Sequence, residues 1–284
     1  MPAPASKALT WHPTMAAVPD VAMRIVSYHH GDFPIGELRA MKEDRRVSVC
    51  IPARDEAATV GPIVEMVRRE LVEGVGLVDD LLVVDDRSTD ATARVAVAAG
   101  ARVVPVPHVA PVSSSAAGKG EAMRLGLAAS TGNIVVFLDG DVENFGTHFV
   151  TGLLGPLLRC PETMLVKACY RRPLGDCPTG GGRVTELVAR PVLSLLFPEL
   201  SAVVQPLAGE VAVRREALDH IELADGYGVE MGMLIDISRR YGLDSIAQVD
   251  LDVRTHRNRP LHELAPQARD VLDVALCRAG LRVP

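Results

Sequence analysis

Short apolar runs alternate with longer amphipathic stretches along this chain, in a rhythm that starts near residue 46. Residues 47–51 read as a strand. Residues 59–71 follow as a helix, because Val60, Ile63, Val64, Val67 and Leu71 recur at helical spacing. Residues 81–84 are a second strand, and Ser88-Thr89-Asp90 then offers capping oxygens for a helix that stops near Gly100. Residues 102–106 form a third strand. A loop rich in Pro and Ser leads to Gly118-Lys119-Gly120 and a helix through Ala129, before a fourth strand at 134–138. Strand and helix in this alternation predict a parallel sheet wound by right-handed crossovers.

Beyond Asp141 the pattern becomes mixed. A helix over 147–158 precedes a strand over 164–170 and a loop over 173–182 with three consecutive glycines. Residues 183–196 read as helical, with a kink expected at Pro191. Short strands near Val203 and Val211, a helix over 229–240, a strand over 245–254 and a terminal helix complete the chain. Residues 1–45 have poor periodicity and read as a lead-in, with Trp11 and Tyr28-His29-His30 packed on the body. The expected organisation is one continuous α/β domain: a lead-in (1–45), a nucleotide-binding half (46–145) and an acceptor half (146–284) with a mixed sheet.

Composition narrows the partners. With 284 residues, 48% of them hydrophobic, the chain can bury one large core. A net charge of −6 argues against nucleic acid as a partner. The five cysteines form no C-x-x-C pair, and Cys50 and Cys169 lie in apolar runs, so buried free thiols are expected. No leader-like apolar core follows the first residues, and no apolar run is long enough to span a bilayer, so no membrane partner is expected. The protein reads as cytoplasmic.

The most specific chemistry sits at Phe137-Leu138-Asp139-Gly140-Asp141, where a buried strand ends in Asp-x-Asp. Ligands of open α/β sheets bind at the carboxyl ends of the strands. Two carboxylates there suit Mg²⁺ or Mn²⁺, which grip phosphate oxygens. A tight Asp-Gly turn is the competing reading, and Asp250-Leu251-Asp252 supplies an internal comparison that reads as a solvated strand face. Pro52-Ala53-Arg54-Asp55-Glu56 and Asp85-Asp86-Arg87-Ser88 also follow strands directly, so acids gather at three strand ends, where they can accept hydrogen bonds from ribose and base.

Gly118-Lys119-Gly120 could approach a phosphate, although it is no Walker A loop and a surface lysine reads equally well. The Rossmann glycine pattern is absent after the first strand, which disfavours a dehydrogenase. Gly180-Gly181-Gly182-Arg183-Val184-Thr185 leads glycines into a helix and adds a guanidinium and a hydroxyl, a good anion cradle, with a flexible linker as the alternative. On spacing alone His256, in Arg254-Thr255-His256-Arg257-Asn258, reads as a structural histidine, and Glu230 after Gly226-Tyr227-Gly228 as a helix-start acid.

Leu165-Val166-Lys167, Tyr170-Arg171-Arg172-Pro173, the segment 180–190, Gln205-Pro206-Leu207, 226–230 and 254–260 together resemble actinobacterial glucosyl-3-phosphoglycerate synthases. The resemblance runs from about Trp11 to Gly280. It implies a GT-A fold with a mostly parallel central sheet, a retaining transfer of glucose from UDP-glucose to the 2-hydroxyl of D-3-phosphoglycerate, a Mg²⁺ or Mn²⁺ cofactor and a homodimer. It further implies that Pro52, Ala53, Asp55, Glu56, Asp86, Lys119, Asp139 and Tyr227 bind the nucleotide sugar, and that Gly182, Arg183, Thr185 and Asn258 hold the acceptor. Asp141 and His256 would ligate the metal, and Asp141, Glu230 and Arg254 would be catalytic. At Arg54-Asp55 and Asp86-Arg87 the chain departs from the family pattern on the nucleoside side. A GDP-mannose-dependent mannosyl-3-phosphoglycerate synthase, a polyprenyl-phosphate glycosyltransferase and a non-catalytic sugar-nucleotide sensor are the competing readings.

Overall fold

The structure is a computed structural model that describes residues 25–107, 118–175, 177–257 and 260–281; Trp11 and Asn258 lie outside the described residues. The strands are β1 (Val26–His29), β2 (Val47–Ala53), β3 (Asp80–Asp85), β4 (Arg102–Pro105), β5 (Ile134–Phe137), β6 (Leu165–Arg171), the hairpin β7–β8 (Pro173–Leu174 and Cys177–Gly180), β9 (Val211–Arg214) and β10 (Ile246–Val253). The α-helices are α1 (Ile35–Lys42), α2 (Val60–Met66), α3 (Thr92–Ala99), α4 (Lys119–Ala129), α5 (His148–Arg159), α6 (Arg190–Leu196), α7 (Arg215–Leu218), α8 (Val229–Tyr241) and α9 (Ala265–Arg278).

Among the described residues one sheet of eight strands runs in the order β1-β10-β6-β9-β5-β2-β3-β4. Every neighbouring pair is parallel except the two made by β9, which lies antiparallel between β5 and β6. Helices cover both faces, which is why β2, β3 and β5 are apolar nearly throughout. Alternate residues of β2 serve different layers. Val47, Val49 and Ile51 join a cluster with Leu38 of α1, Ile63 of α2, Ala96 of α3 and Leu153 of α5. Cys50 belongs to the other cluster, with Met123 of α4, Leu193 of α6, Leu234 of α8 and Val271 of α9. All five cysteines are free, and burial pushes the Cys50 thiol up to about 12.

Most expected elements are present, and α3 ends where expected, at Gly100 with φ of 102°. Four differences carry information. Residues 25–45 include an edge strand and a helix, because β1 pairs in register with β10 (Val26↔Ala247 to His29↔Asp250) and α1 packs on α5. No strand forms at Val203, which is buried at the end of a turn. The loop after Pro173 contains the β7–β8 hairpin. The expected distortion at Pro191 takes the form of a π-helical turn over Thr185–Ala189, in which the Arg190 N–H reaches back to the Thr185 carbonyl. A wider turn just ahead of a residue that cannot donate keeps the helix continuous. No described helix is long and apolar enough to cross a membrane.

Candidate active site

Parallel pairing places the carboxyl ends of β2, β3, β5, β6 and β10 along one edge of the sheet. Because β9 runs the other way, its start, Gly209-Glu210, opens on that same edge. Asp139 and Asp141 follow β5 there. Lys119, the first residue of α4, donates to Asp139 Oδ1 at 2.5 Å and pairs with Glu230 Oε1 at 2.6 Å. Glu230 comes from the first turn of α8 and is buried. Burial works against the Lys119 charge, but the Asp139 and Glu230 carboxylates outweigh it and hold its pKa well above the ordinary lysine value. For Asp139, burial alone would raise the pKa; Lys119 and Arg254 overcome it and keep the carboxyl ionised far below the usual range. A side chain at Gly209 would collide with the Asp139 carboxylate and the Lys119 ammonium, so the backbone itself forms this wall.

Arg254, just past β10, is 2% exposed and gathers three acids. Its Nη2 donates to Asp139 Oδ2 at 2.9 Å and Asp141 Oδ1 at 2.6 Å, and its Nε to Glu210 Oε1 at 2.7 Å. The other Glu210 oxygen accepts from the Tyr170 hydroxyl at 2.5 Å, and Arg172 donates to that hydroxyl at 2.7 Å. Lys167, fully buried on β6, donates to the Ala208 carbonyl at 2.6 Å, and burial pushes its pKa down to about 8. Glu210, Tyr170, Arg172 and Lys167 thus form a polar floor that was not expected from spacing. The one signal of it in the sequence is a charged residue set into each of two apolar runs, Leu165–Ala168 and Ala208–Val213.

The two aspartates differ in what they can still bind. Asp139 has both oxygens engaged, by Lys119 and by Arg254, whereas Asp141 accepts from Arg254 on Oδ1. His256 is brought beside Asp141 by a short backbone zipper. It bridges to Val142, the Glu143 N–H donates to Thr255 O at 2.9 Å, and the Asn144 side chain clasps Val253 O and Thr255 N–H at 2.8 Å each. Burial, then Arg254 and Arg172, push the His256 pKa down to about 4. The imidazole is therefore neutral at pH 7, with a lone pair to offer. One carboxylate and one neutral imidazole, at a strand edge flanked by cations, fit a divalent ion that shares its shell with phosphate oxygens.

Where the nucleoside was expected, Pro52 and Ala53 close β2 beside β3, paired with Val84 and Asp85. Asp55, at φ of 56°, accepts from the Thr89 N–H at 2.7 Å, the Thr89 hydroxyl at 3.1 Å and the Asp90 N–H at 3.3 Å. Its carboxylate therefore ties the loop after β2 to the loop after β3, and the Thr89 N–H chiefly lowers its pKa. Glu56 lies 3.7 Å from Arg257. Asp86 is buried and paired with Arg87 at 2.6 Å, while Arg87 also reaches Glu121 at 2.7 Å. On the other side, the Gly182 carbonyl accepts from the Glu186 N–H at 3.1 Å as the helix after the glycine loop begins, with Arg183 in its first turn. Thr185 is buried one residue from Glu186. The Tyr227 N–H donates to Asp270 Oδ2 at 3.0 Å, which seats the loop before α8 on α9.

The chain is similar to known proteins in sequence and fold. The family model for glycosyl transferase family 2 matches residues 48–176. A glucosyl-3-phosphoglycerate synthase of Mycobacterium tuberculosis is 50% identical over 262 residues, covering 90% of this chain and 80% of its own length. The crystal structure of a glucosyl-3-phosphoglycerate synthase from Mycobacterium tuberculosis in complex with Mn²⁺, UDP-glucose and phosphoglyceric acid superposes with a TM-score of 0.83 at 47% identity, covering 94% of this chain and 90% of that one. Another, in complex with Mg²⁺ and UDP, gives a TM-score of 0.82 at 48% identity, covering 91% and 88%.

Proposed function

The chain belongs to the glucosyl-3-phosphoglycerate synthases, glycosyltransferases of the GT-A fold, and on that premise we propose how its residues divide the reaction. The protein transfers glucose from UDP-glucose to 3-phosphoglycerate and works with Mn²⁺ or Mg²⁺. The observation that supports the assignment of roles is the backbone bridge between Val142 and His256, which brings His256 to the end of β5, next to the residue that follows Asp141.

The half from 46 to 145 takes the nucleotide sugar, and the half from 146 to 284 takes the acceptor. Pro52, Ala53, Glu56, Asp86 and Asp139 line the donor, with Asp55 holding their loops together. Asp141 and His256 hold the cation, which when bound neutralises charge on the diphosphate. Lys119 adds a fixed positive charge beside the site of C–O cleavage, worth most where water is excluded. Arg254 keeps Asp139 and Asp141 in place and supplies positive charge to the diphosphate. Gly182, Arg183, Thr185 and Asn258 clamp the acceptor phosphate, and Tyr227 and Glu230 fix the glucose and the acceptor, so the hydroxyl is held at short range. The 2-hydroxyl attacks from the leaving group's own face, with a diphosphate oxygen taking its proton. Retention follows from that geometry.

A donor panel tests the reading. UDP-glucose, GDP-glucose and GDP-mannose are each incubated with 3-phosphoglycerate and Mg²⁺, and the product's anomeric proton is read by NMR. The expected result is UDP-glucose as preferred donor and an α-linked product. Preference for GDP-mannose, or calorimetric binding of UDP-glucose with no turnover, would overturn it.

A further inference from the structure

At the opposite end of the sheet from β4, the edge strand β1 closes on two adjacent histidines that the transfer reaction does not use. His29 is the last residue of β1 and His30 the next. Asp252, near the end of β10, lies between them. Its Oδ2 is 2.7 Å from His30 Nε2 and its Oδ1 3.4 Å from His29 Nε2. One ligand atom from each of the three lies within 4.8 Å of the other two. The ring of His148, the first residue of α5, lies tilted against that of His30, with ring centroids 4.7 Å apart.

Asp252 reaches this position through a departure from regular strand geometry. The β10–β6 ladder shifts register between Asp250 and Val253, and Asp252 has φ of 68°, a left-handed conformation that aspartate adopts at a cost. Bulges of this kind re-aim a side chain. The strained residue is thus the one whose carboxylate meets both imidazoles.

We propose that His29, His30 and Asp252 are a second metal site, for a borderline cation such as Zn²⁺, which staples edge strand β1 to β10. Two imidazoles and a carboxylate are a Zn²⁺ donor set with one position left for water or for His148. The catalytic pair is different in kind, since Asp141 and His256 must share their ion with a diphosphate. Solution has access: His29 and Asp252 side chains are 49% and 52% exposed. In the ion-free protein the imidazole N–H groups face the Asp252 carboxylate. The cation takes their place, and each ring then keeps its single proton on Nδ1. For His29 this requires the ring to turn away from the Gly31 N–H, which Nδ1 now accepts at 3.1 Å. An exposed side chain can make that turn. The loaded site exists only in the folded chain, so the ion stabilises the fold.

The test uses untagged full-length Asp141→Ala protein, in which the catalytic site is weakened, titrated with Zn²⁺ by calorimetry and followed by thermal unfolding. The expected result is one tight equivalent and a Tm rise of about 4–5 °C at a hundredfold excess over Kd. Adding Asp252→Asn should weaken that equivalent at least about tenfold and cut the Tm rise at the same Zn²⁺ concentration by about half or more. Asp252→Asn alone should keep normal Mg²⁺-dependent transferase activity, which shows that its fold is intact. Absence of a tight equivalent overturns the proposal. So does an equivalent that survives Asp252→Asn, as it would if Zn²⁺ sat on the exposed Cys177 or Cys277.

Discussion

Lys167 is a charge placed where water does not reach, with the Ala208 carbonyl accepting from its ammonium. Burial brings its pKa from 10.5 down to about 8, against the pull of Glu230. Because the folded value is the lower one, the unfolded chain binds more protons between pH 8 and 10.5, and stability rises with pH across that window. Below pH 8 both states are protonated and the gain is absent. The interval between the two values corresponds to about 3 kcal/mol. Urea unfolding of the wild type and of Lys167→Met at pH 8, 9 and 10 should therefore show the wild type gaining on the variant by about 2–3 kcal/mol. A difference that stays flat with pH would mean that the ammonium is solvated after all. Residues of this floor were hard to read in advance. Asp139 and Asp141 announce themselves by following an apolar strand, but Glu210 and Tyr170 matter through each other, across 40 positions of sequence. Spacing also gave no sign of where His256 would lie, since it reaches the end of β5 through a backbone bridge to Val142 that no local pattern encodes.

Among the elements, β9 does most to shape the site. Its antiparallel insertion turns a strand beginning toward the edge where all other strands end, and Gly209 is the residue that arrives there. Its backbone lies against the Asp139 carboxylate and the Lys119 ammonium, so a methyl group has no room. Gly209→Ala should destabilise the fold by about 1–3 kcal/mol through overpacking. It should also lower kcat on the order of 10²-fold, because the Lys119–Asp139 pair is displaced. Thermal unfolding and steady-state kinetics together check this; wild-type values in both would show that the start of β9 can retreat at no cost. The long parallel strands were legible because burial on both faces makes them continuous apolar runs. β1 was not, since an edge strand with only Tyr28 partly buried has no such run. Val203 misled for the converse reason: it is buried, but in a turn.

At the scale of the molecule, the two halves of the chain, 46–145 and 146–284, are two parts of one core. β5 belongs to the first half, yet its neighbour β9 comes from the second, pairing Ile134↔Arg214 through Phe137↔Val211. Helix α5, buried at every position from Phe149 to Leu158, also comes from the second half and packs in the same cluster as Val47, Val49 and Ile51 of β2. Arg215 adds donors to the carbonyls of Gly132, Leu127 and Ser130 at 2.7, 2.9 and 3.0 Å. A fragment ending at residue 145 would keep the adjoining strands β5, β2, β3 and β4 but expose β5 as an unpaired apolar edge and remove α5 from one face and α6, α8 and α9 from the other. Bare edges of this kind associate rather than persist in water, and a chain that retains strands without fixed packing binds ANS. The fragment 1–145 should accordingly show ANS binding or aggregation and no cooperative urea transition, while the full chain unfolds in a single one. A sharp, reversible transition of the isolated fragment, with UDP-glucose affinity retained, would instead establish the donor half as a domain that folds by itself.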